Sequence, residues 1–337
     1  MSRVIVHIGT HKTATTTVQD TFYANADLLA QHGLIYPTFR KHTGHHGLVA
    51  ERVGLGPSYH LPEGGLAALS QIAATYGDTD QTVFLSSEEF SRGQDGKRTD
   101  MALLRGLLDP FDEIEVICVL RDQWHFLQSI YLEISKSRRP PPPGEIVAHA
   151  LNTRLWQGLW IDYGLLYDHL VTGFDPHQIR LIDFAACTAH CGGIIGYMLD
   201  LIGTDLTFGD LDLVNDGASN RSPLSLAMWA GHFLNEPNLV DADLIALITD
   251  AFRVEYGEDA KSCLFTRAEA KRINEFFRPL NKDLASRIAQ MQPGFALAPS
   301  LLTGNTIFRE DISATFWMRC ARRILHRSRA IERDARA

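Results

Sequence analysis

Lys12 is set among hydroxyls. In the run Gly9-Thr-His-Lys-Thr-Ala-Thr-Thr-Thr17 one ammonium is preceded by His11 and followed by Thr13, Thr15, Thr16 and Thr17, with no acid among them. Donors without acids suit an anion. Backbone geometry adds to this. Val4 to Ile8 is an apolar, β-branched run of strand length, Gly9 breaks it, and helical spacing begins at Thr15. The first N–H groups of a helix have no partner inside it and carry the positive end of its dipole, so a strand, turn and helix in this order hold a phosphate well.

Three further groups could do chemistry. The buried-strand run Thr82 to Leu85 ends in Ser86-Ser87-Glu88-Glu89, and paired carboxylates at the carboxyl edge of a parallel sheet stand where ligands bind. Ser87 also reads as a helix cap with the glutamates favoured in the first turn. A second apolar run, Val116 to Leu120, delivers Arg121 at its end, and the helix that follows carries Ser129 eight residues later. A guanidinium fork suits a phosphate dianion and a serine hydroxyl adds a donor. His42, His45 and His46 lie within five positions. No cysteine or acid accompanies them, and Cys187, His190 and Cys191 lack a fourth ligand, so no metal is assigned to either group.

The loop is not that of the nucleotide triphosphatases, which needs Gly-x-x-x-x-Gly-Lys-Ser/Thr. Here those glycine positions hold Val6 and His11. It resembles instead the phosphosulfate-binding loop of the sulfotransferases that use 3′-phosphoadenosine 5′-phosphosulfate (PAPS), nearest to their carbohydrate branch and its bacterial relatives. Arg121 with Ser129 resembles that family's 3′-phosphate motif, about 110 residues after the loop as the order of motifs requires. The resemblance implies an α/β, P-loop-like three-layer sandwich, a central parallel sheet flanked by helices, with a helical C-terminal part. It implies PAPS as co-substrate without a metal, held by His11, Lys12, Thr13, Ala14, Thr15, Thr16 and Thr17 at the 5′ side and by Arg121 and Ser129 at the 3′-phosphate. Lys12 becomes catalytic through the leaving phosphate. Glu88, or His46 from the segment after the second strand, becomes the base, with Glu89 and His45 behind them. No one residue matches an unambiguous base position. The acceptor would offer a hydroxyl or amine on a carbohydrate, with a lipid, peptide or small metabolite left open. Two rivals stand beside this reading: an ATP-dependent phosphotransferase, and a silent module that binds the nucleotide without turnover.

The elements that must position these groups follow from the pattern. Thr15 to His32 reads as one helix closed by Gly33, and Leu34 to Tyr36 as a strand that completes a βαβ unit. Gly65 to Tyr76 and Glu145 to Leu170 read as helices, Ile179 to Ile182 as a further strand, and Gly192 to Ile202 and Ala268 to Met291 as late helices. Asn220 to Pro223 opens another helix, with Pro223 in its first turn. The expected organisation is one domain over 1–337: a sheet core to 185, a mainly helical extension over 186–318 and a basic tail over 319–337. Chain length of 337 residues and 45% hydrophobic content allow a large core.

A net charge of −8 argues against nucleic acid as a partner. Five cysteines at irregular spacing make no disulfide framework, and no apolar run reaches bilayer length, which together imply a cytoplasmic protein. Between Arg319 and Arg336 seven arginines surround Ile324, Leu325 and Ile331. That tail reads as a solvated terminal helix, with contact to a membrane surface as the alternative.

Overall fold

The structure is a computed structural model that describes residues 1–39, 41–217, 223–299 and 304–334. The chain forms two compact units, one comprising Met1–Asp122, Thr153–Asn220 and Phe277–Pro299, the other Gln123–Asn152, Arg221–Phe276 and Ser300–Ala337.

The first unit is built on a five-stranded parallel sheet. Its strands are β1 (Arg3–His7), β2 (Leu34–Ile35), β3 (Thr82–Ser86), β4 (Glu113–Leu120) and β5 (Ile179–Asp183), in the spatial order β2-β3-β1-β4-β5. Alternation sends side chains to two separate cores. Val4, Val6, Val83, Leu85, Val116 and Cys118 enter one, together with Leu69, Leu166 and Leu284. Ile5, Phe84, Ile117 and Val119 enter the other, with Val18, Phe22 and Met198. Helices therefore cover both faces, which is the three-layer α/β arrangement expected. Apart from the buried His7, the Val4 to Ile8 run is apolar because neither face of β1 meets water.

The order of strands corrects the simple βαβ picture. β1 and β2 are parallel, but β3 lies between them, pairing Val4 with Val83 and Leu34 with Thr82. β4 pairs with β1 on the other side. The carboxyl ends of β1, β3 and β4 thus share one edge, where the chain reverses its direction of progress across the sheet, and such an edge opens a crevice.

Several boundaries also differ. The helix expected over Thr15 to His32 is two helices, α1 (Thr15–Ala24) and α2 (Ala26–Gln31), separated at Asn25. The Asn25 side chain donates to the Thr21 carbonyl at 2.7 Å and binds the Asp212 backbone in both directions, so it competes with the helix ladder. The long helix expected from Glu145 to Leu170 is interrupted by a short antiparallel pairing of Leu155–Trp156 with Leu159–Trp160, turned through Gln157 and Gly158 at positive φ.

In the second unit Ser225–Leu234, Ala242–Tyr256 and Ala314–Asp334 are helices, and Leu226, Ile248, Phe252, Phe316 and Cys320 form their common core. Pro223 precedes the first of these helices instead of entering its first turn, and positions 220–222 lie outside the described residues. The basic terminal segment continues the last helix. Its Phe316 and Cys320 are buried, Arg319 pairs with Glu255 at 2.5 Å, and Arg327 pairs with Asp243. Among the described residues no helix is long and apolar enough to cross a membrane.

Candidate functional site

The loop after β1 is bound to the sheet by its backbone. Ile8 N–H donates to Ile117 at 2.9 Å, Thr10 N–H to Val119 at 2.7 Å, and Val119 N–H to Gly9 at 2.6 Å. Beyond Thr10 the chain curls through left-handed backbone at Lys12 (φ 63°) and Ala14 (φ 59°). Those are strained positions for residues with a Cβ, and such strain persists where the surroundings over-determine it. Two hydroxyls hold the curl from inside: Thr13 Oγ1 donates to the Thr10 carbonyl at 2.5 Å and Thr15 Oγ1 to the same oxygen at 3.4 Å. Thr13, Thr15 and Thr17 are buried, so part of the threonine run shapes the loop. Ala14 stands at the N-cap of α1 without a side-chain acceptor. The start of α1 is therefore not capped by its own sequence, which is the condition under which an outside anion takes that place.

Glu88 lies against this loop. A Cβ placed on Gly9 would come 2.9 Å from the Glu88 Cβ, and Gly9 itself has φ +73°. The Glu88 carboxylate accepts from Gln19 Nε2 at 3.1 Å and lies 3.9 Å from His46 Nδ1. His46 Nδ1 is in turn 2.8 Å from Ser87 Oγ, which accepts the Glu89 N–H at 3.2 Å. Glu88 and His46, expected from separate stretches, are thus neighbours, each partly exposed with side-chain accessibilities of 17% and 16%. Ser87 does cap, as the alternative reading held, and the cap and the acid pair coexist.

The other two base candidates are engaged elsewhere. Glu89 accepts from His11 Nε2 at 3.2 Å and from Arg92 Nε at 2.5 Å. Burial pushes its pKa up, but the hydrogen bonds and charges of His11 and Arg92 outweigh that and hold it well below the usual carboxylate range. A carboxylate this tightly paired is a poor proton acceptor, and it occupies one nitrogen of His11. His45 is 1% exposed; its Nδ1 accepts the Ser86 N–H at 2.8 Å and its Nε2–H donates to the Pro37 carbonyl at 2.6 Å. Burial lowers its pKa to about 4. It is a neutral strut between the segment after β2 and the end of β3.

Arg121 at the end of β4 donates to the Lys12 carbonyl at 3.1 Å and lies over the Phe184 ring at 5.2 Å. Its own carbonyl accepts from Tyr163. Within the first unit, then, Lys12, the threonines, Glu88, His46 and Arg121 come to one sheet edge. Ser129 is 6% exposed on the helix Gln123–Ile134 of the second unit.

Near His46 a cavity of 380 Å³ opens, its walls including Phe39, His42, Tyr59 and Leu61. Tyr59 links the two, its ring edge-on to His46 at 5.8 Å and stacked on His42 at 4.4 Å. Among the described residues no group of three or more His, Cys, Asp or Glu side chains could hold a metal ion. Sequence reasoning missed Gln19. It is 2% exposed and lies on the face of α1 that Val18 and Phe22 bury. A polar residue at a core position of an amphipathic helix was the available signal.

No protein-family model matches the chain, and no curated protein sequence does. Among solved structures, a sulfotransferase from Alicyclobacillus acidocaldarius is similar at a TM-score of 0.44 and 12% identity, over 84% of this chain and 94% of that one. Mouse sulfotransferase SULT7A1 complexed with PAP is similar at a TM-score of 0.42 and 10% identity, over 86% and 87% of the two chains. What the loop and its neighbours can do chemically is independent of either likeness.

Proposed function

We propose that this chain transfers a sulfuryl group from PAPS to a hydroxyl or amine of an acceptor. The observation that carries the reading is the curled loop from Gly9 to Thr17, with an uncapped helix start and one lysine, packed against Glu88. That cradle suits the 5′-phosphosulfate: N–H groups at the start of α1 and the hydroxyl of the half-buried Thr16 receive phosphate oxygens, and Lys12 adds a full charge.

The chemistry is in-line displacement. The acceptor oxygen or nitrogen bonds to sulfur while the bridging S–O bond breaks, and its proton passes to Glu88, or to His46 beside it. The electron pair of the broken bond stays on the 5′-phosphate, where Lys12 neutralises it. The products are 3′-phosphoadenosine 5′-phosphate and the sulfated acceptor. Positioning and electrostatics do the work, without a covalent enzyme intermediate. Arg121 is assigned to the 3′-phosphate, which separates this donor from ATP. The acceptor approaches through the cavity at Tyr59 and His42, and a carbohydrate is the assigned class on the strength of the loop's resemblance.

The test is turnover of PAPS with an acceptor panel, in the wild type and in Lys12→Ala and Glu88→Gln. Transfer lost in both variants supports the reading. Transfer of phosphate from ATP that stops on chelation would replace it with the phosphotransferase, and nucleotide binding without transfer to any acceptor would leave a silent module.

A further inference from the structure

The second unit contains a chamber that the nucleotide chemistry does not use. Pro140–Pro143 close one side of a 940 Å³ cavity, Trp229 and Phe233 another, and Tyr131, Arg139, His232 and Arg309 bring polar groups to it. Pro140 to Pro142 lie outside any helix and Pro143 opens the helix Pro143–Thr153, and with φ fixed at each ring the run makes a stiff wall. Phe233 is 61% exposed, with its ring 6.2 Å from Trp229 at an interplanar angle of 27°. That leaves an aromatic face open to solvent.

His232 is 4% exposed, and its ring nitrogens reach nothing beyond a marginal contact with the Ser135 backbone. A buried polar group left so is uncommon in a finished fold. Arg139 gives one terminal nitrogen to Glu236 at 2.5 Å, and Arg309 gives one to both oxygens of Glu269 at 2.8 and 3.0 Å. A guanidinium carries five N–H groups on three nitrogens, so each pairing leaves donors over. The groups also converge: Arg139 acts electrostatically on both Tyr131 and His232, and Arg309 on Tyr131. Burial pushes the Tyr131 phenol up, so it stays an O–H donor. Glu145 lines the chamber too. With Glu236 and Glu269 it offsets part of the positive charge, so directed hydrogen bonds and ring stacking, more than net field, select what enters.

We propose that this chamber binds an organic anion whose carboxylate or sulfonate group meets Arg139, Arg309 and His232 and whose flat apolar body lies on the Trp229–Phe233 face. The proposal stands on the second unit alone and does not depend on the nucleotide reading.

The experiment titrates 2-naphthalenesulfonate, 2-naphthoate and uncharged 2-naphthol into the full chain, followed by calorimetry and tryptophan fluorescence. At least one of the two anions is expected to bind saturably and about tenfold or more tighter than the naphthol, and the stronger of them identifies the preferred oxyanion. Arg139→Gln, in an exposed ion pair, and His232→Phe, of similar shape, are each expected to weaken it about tenfold with the circular dichroism unchanged. Naphthol bound as tightly as both anions, no probe bound by the folded wild type, or Arg139→Gln binding as the wild type does would each overturn the proposal. Titration of 3′-phosphoadenosine 5′-phosphate into the same samples reports separately on the loop of the first unit.

Discussion

Glu88 rests directly on Gly9, with 2.9 Å between the Glu88 Cβ and the place a Cβ would take on the glycine. The phosphate loop and the candidate base are therefore one packed object. Gly9→Ala puts a methyl group into that contact and forces an L residue to φ +73°. The expected cost is about 1–3 kcal/mol of stability, together with a loss of turnover larger than the stability change alone would give. Urea denaturation and steady-state kinetics on one preparation check it. A variant as stable and active as the parent would show that the contact is slack.

Gln19 holds the Glu88 carboxylate at 3.1 Å and also reaches the Ser86 carbonyl at 3.2 Å. Gln19→Leu keeps most of the volume but removes the donor. Binding of 3′-phosphoadenosine 5′-phosphate should be unchanged while kcat falls about tenfold, against about 10²- to 10⁴-fold for Glu88→Gln. If Glu88→Gln keeps full activity, the proton goes to His46, and His46→Gln becomes the inactive variant.

Two buried histidines make stability depend on pH. Burial lowers both His7 and His45 from 6.5 to about 4. The unfolded chain takes up these protons near 6.5 and the folded chain refuses them until about 4, so stability is fully present above 6.5 and falls as pH drops through that window. The loss is on the order of 3 kcal/mol per histidine at its limit. His45→Gln should be less stable at pH 8, because Ser86 N–H and the Pro37 carbonyl lose their partner, and its stability should decline less steeply below 6.5, by about one proton. Urea midpoints from pH 8 to 4 decide this. Equal slopes in parent and variant would mean that His45 titrates normally in the fold.

The strands were legible because burial on both faces leaves β1 and β4 mostly apolar, with His7 and Glu115 the buried exceptions, in runs that only a covered sheet can use. Their order was not, since nothing local in Leu34 to Tyr36 says that β3 will come between it and β1. The break at Asn25 and the small pairing around Gln157 and Gly158 depend on a distant backbone partner and on two left-handed residues, and a helical period overrides both in the sequence. At the site, Lys12, Arg121 and Glu88 were visible as charges at strand ends. The roles of Glu89 and His45 were hidden, because pairing with Arg92 and bracing of Pro37 against Ser86 depend on contacts made only in the folded chain.

The central claim is that Arg121, beside the loop, selects a 3′-phosphorylated nucleotide. Its most direct test is calorimetric titration of 3′-phosphoadenosine 5′-phosphate, ADP and ATP into the wild type and Arg121→Ala. Because Arg121 also holds the Lys12 carbonyl at 3.1 Å, all affinities will drop somewhat in the variant, and the ratio between nucleotides is the quantity to read. The wild type should prefer the 3′-phosphorylated nucleotide by at least about tenfold, and Arg121→Ala should bring that preference close to one. ADP or ATP bound as tightly as 3′-phosphoadenosine 5′-phosphate by the wild type would contradict the sulfuryl-transfer account.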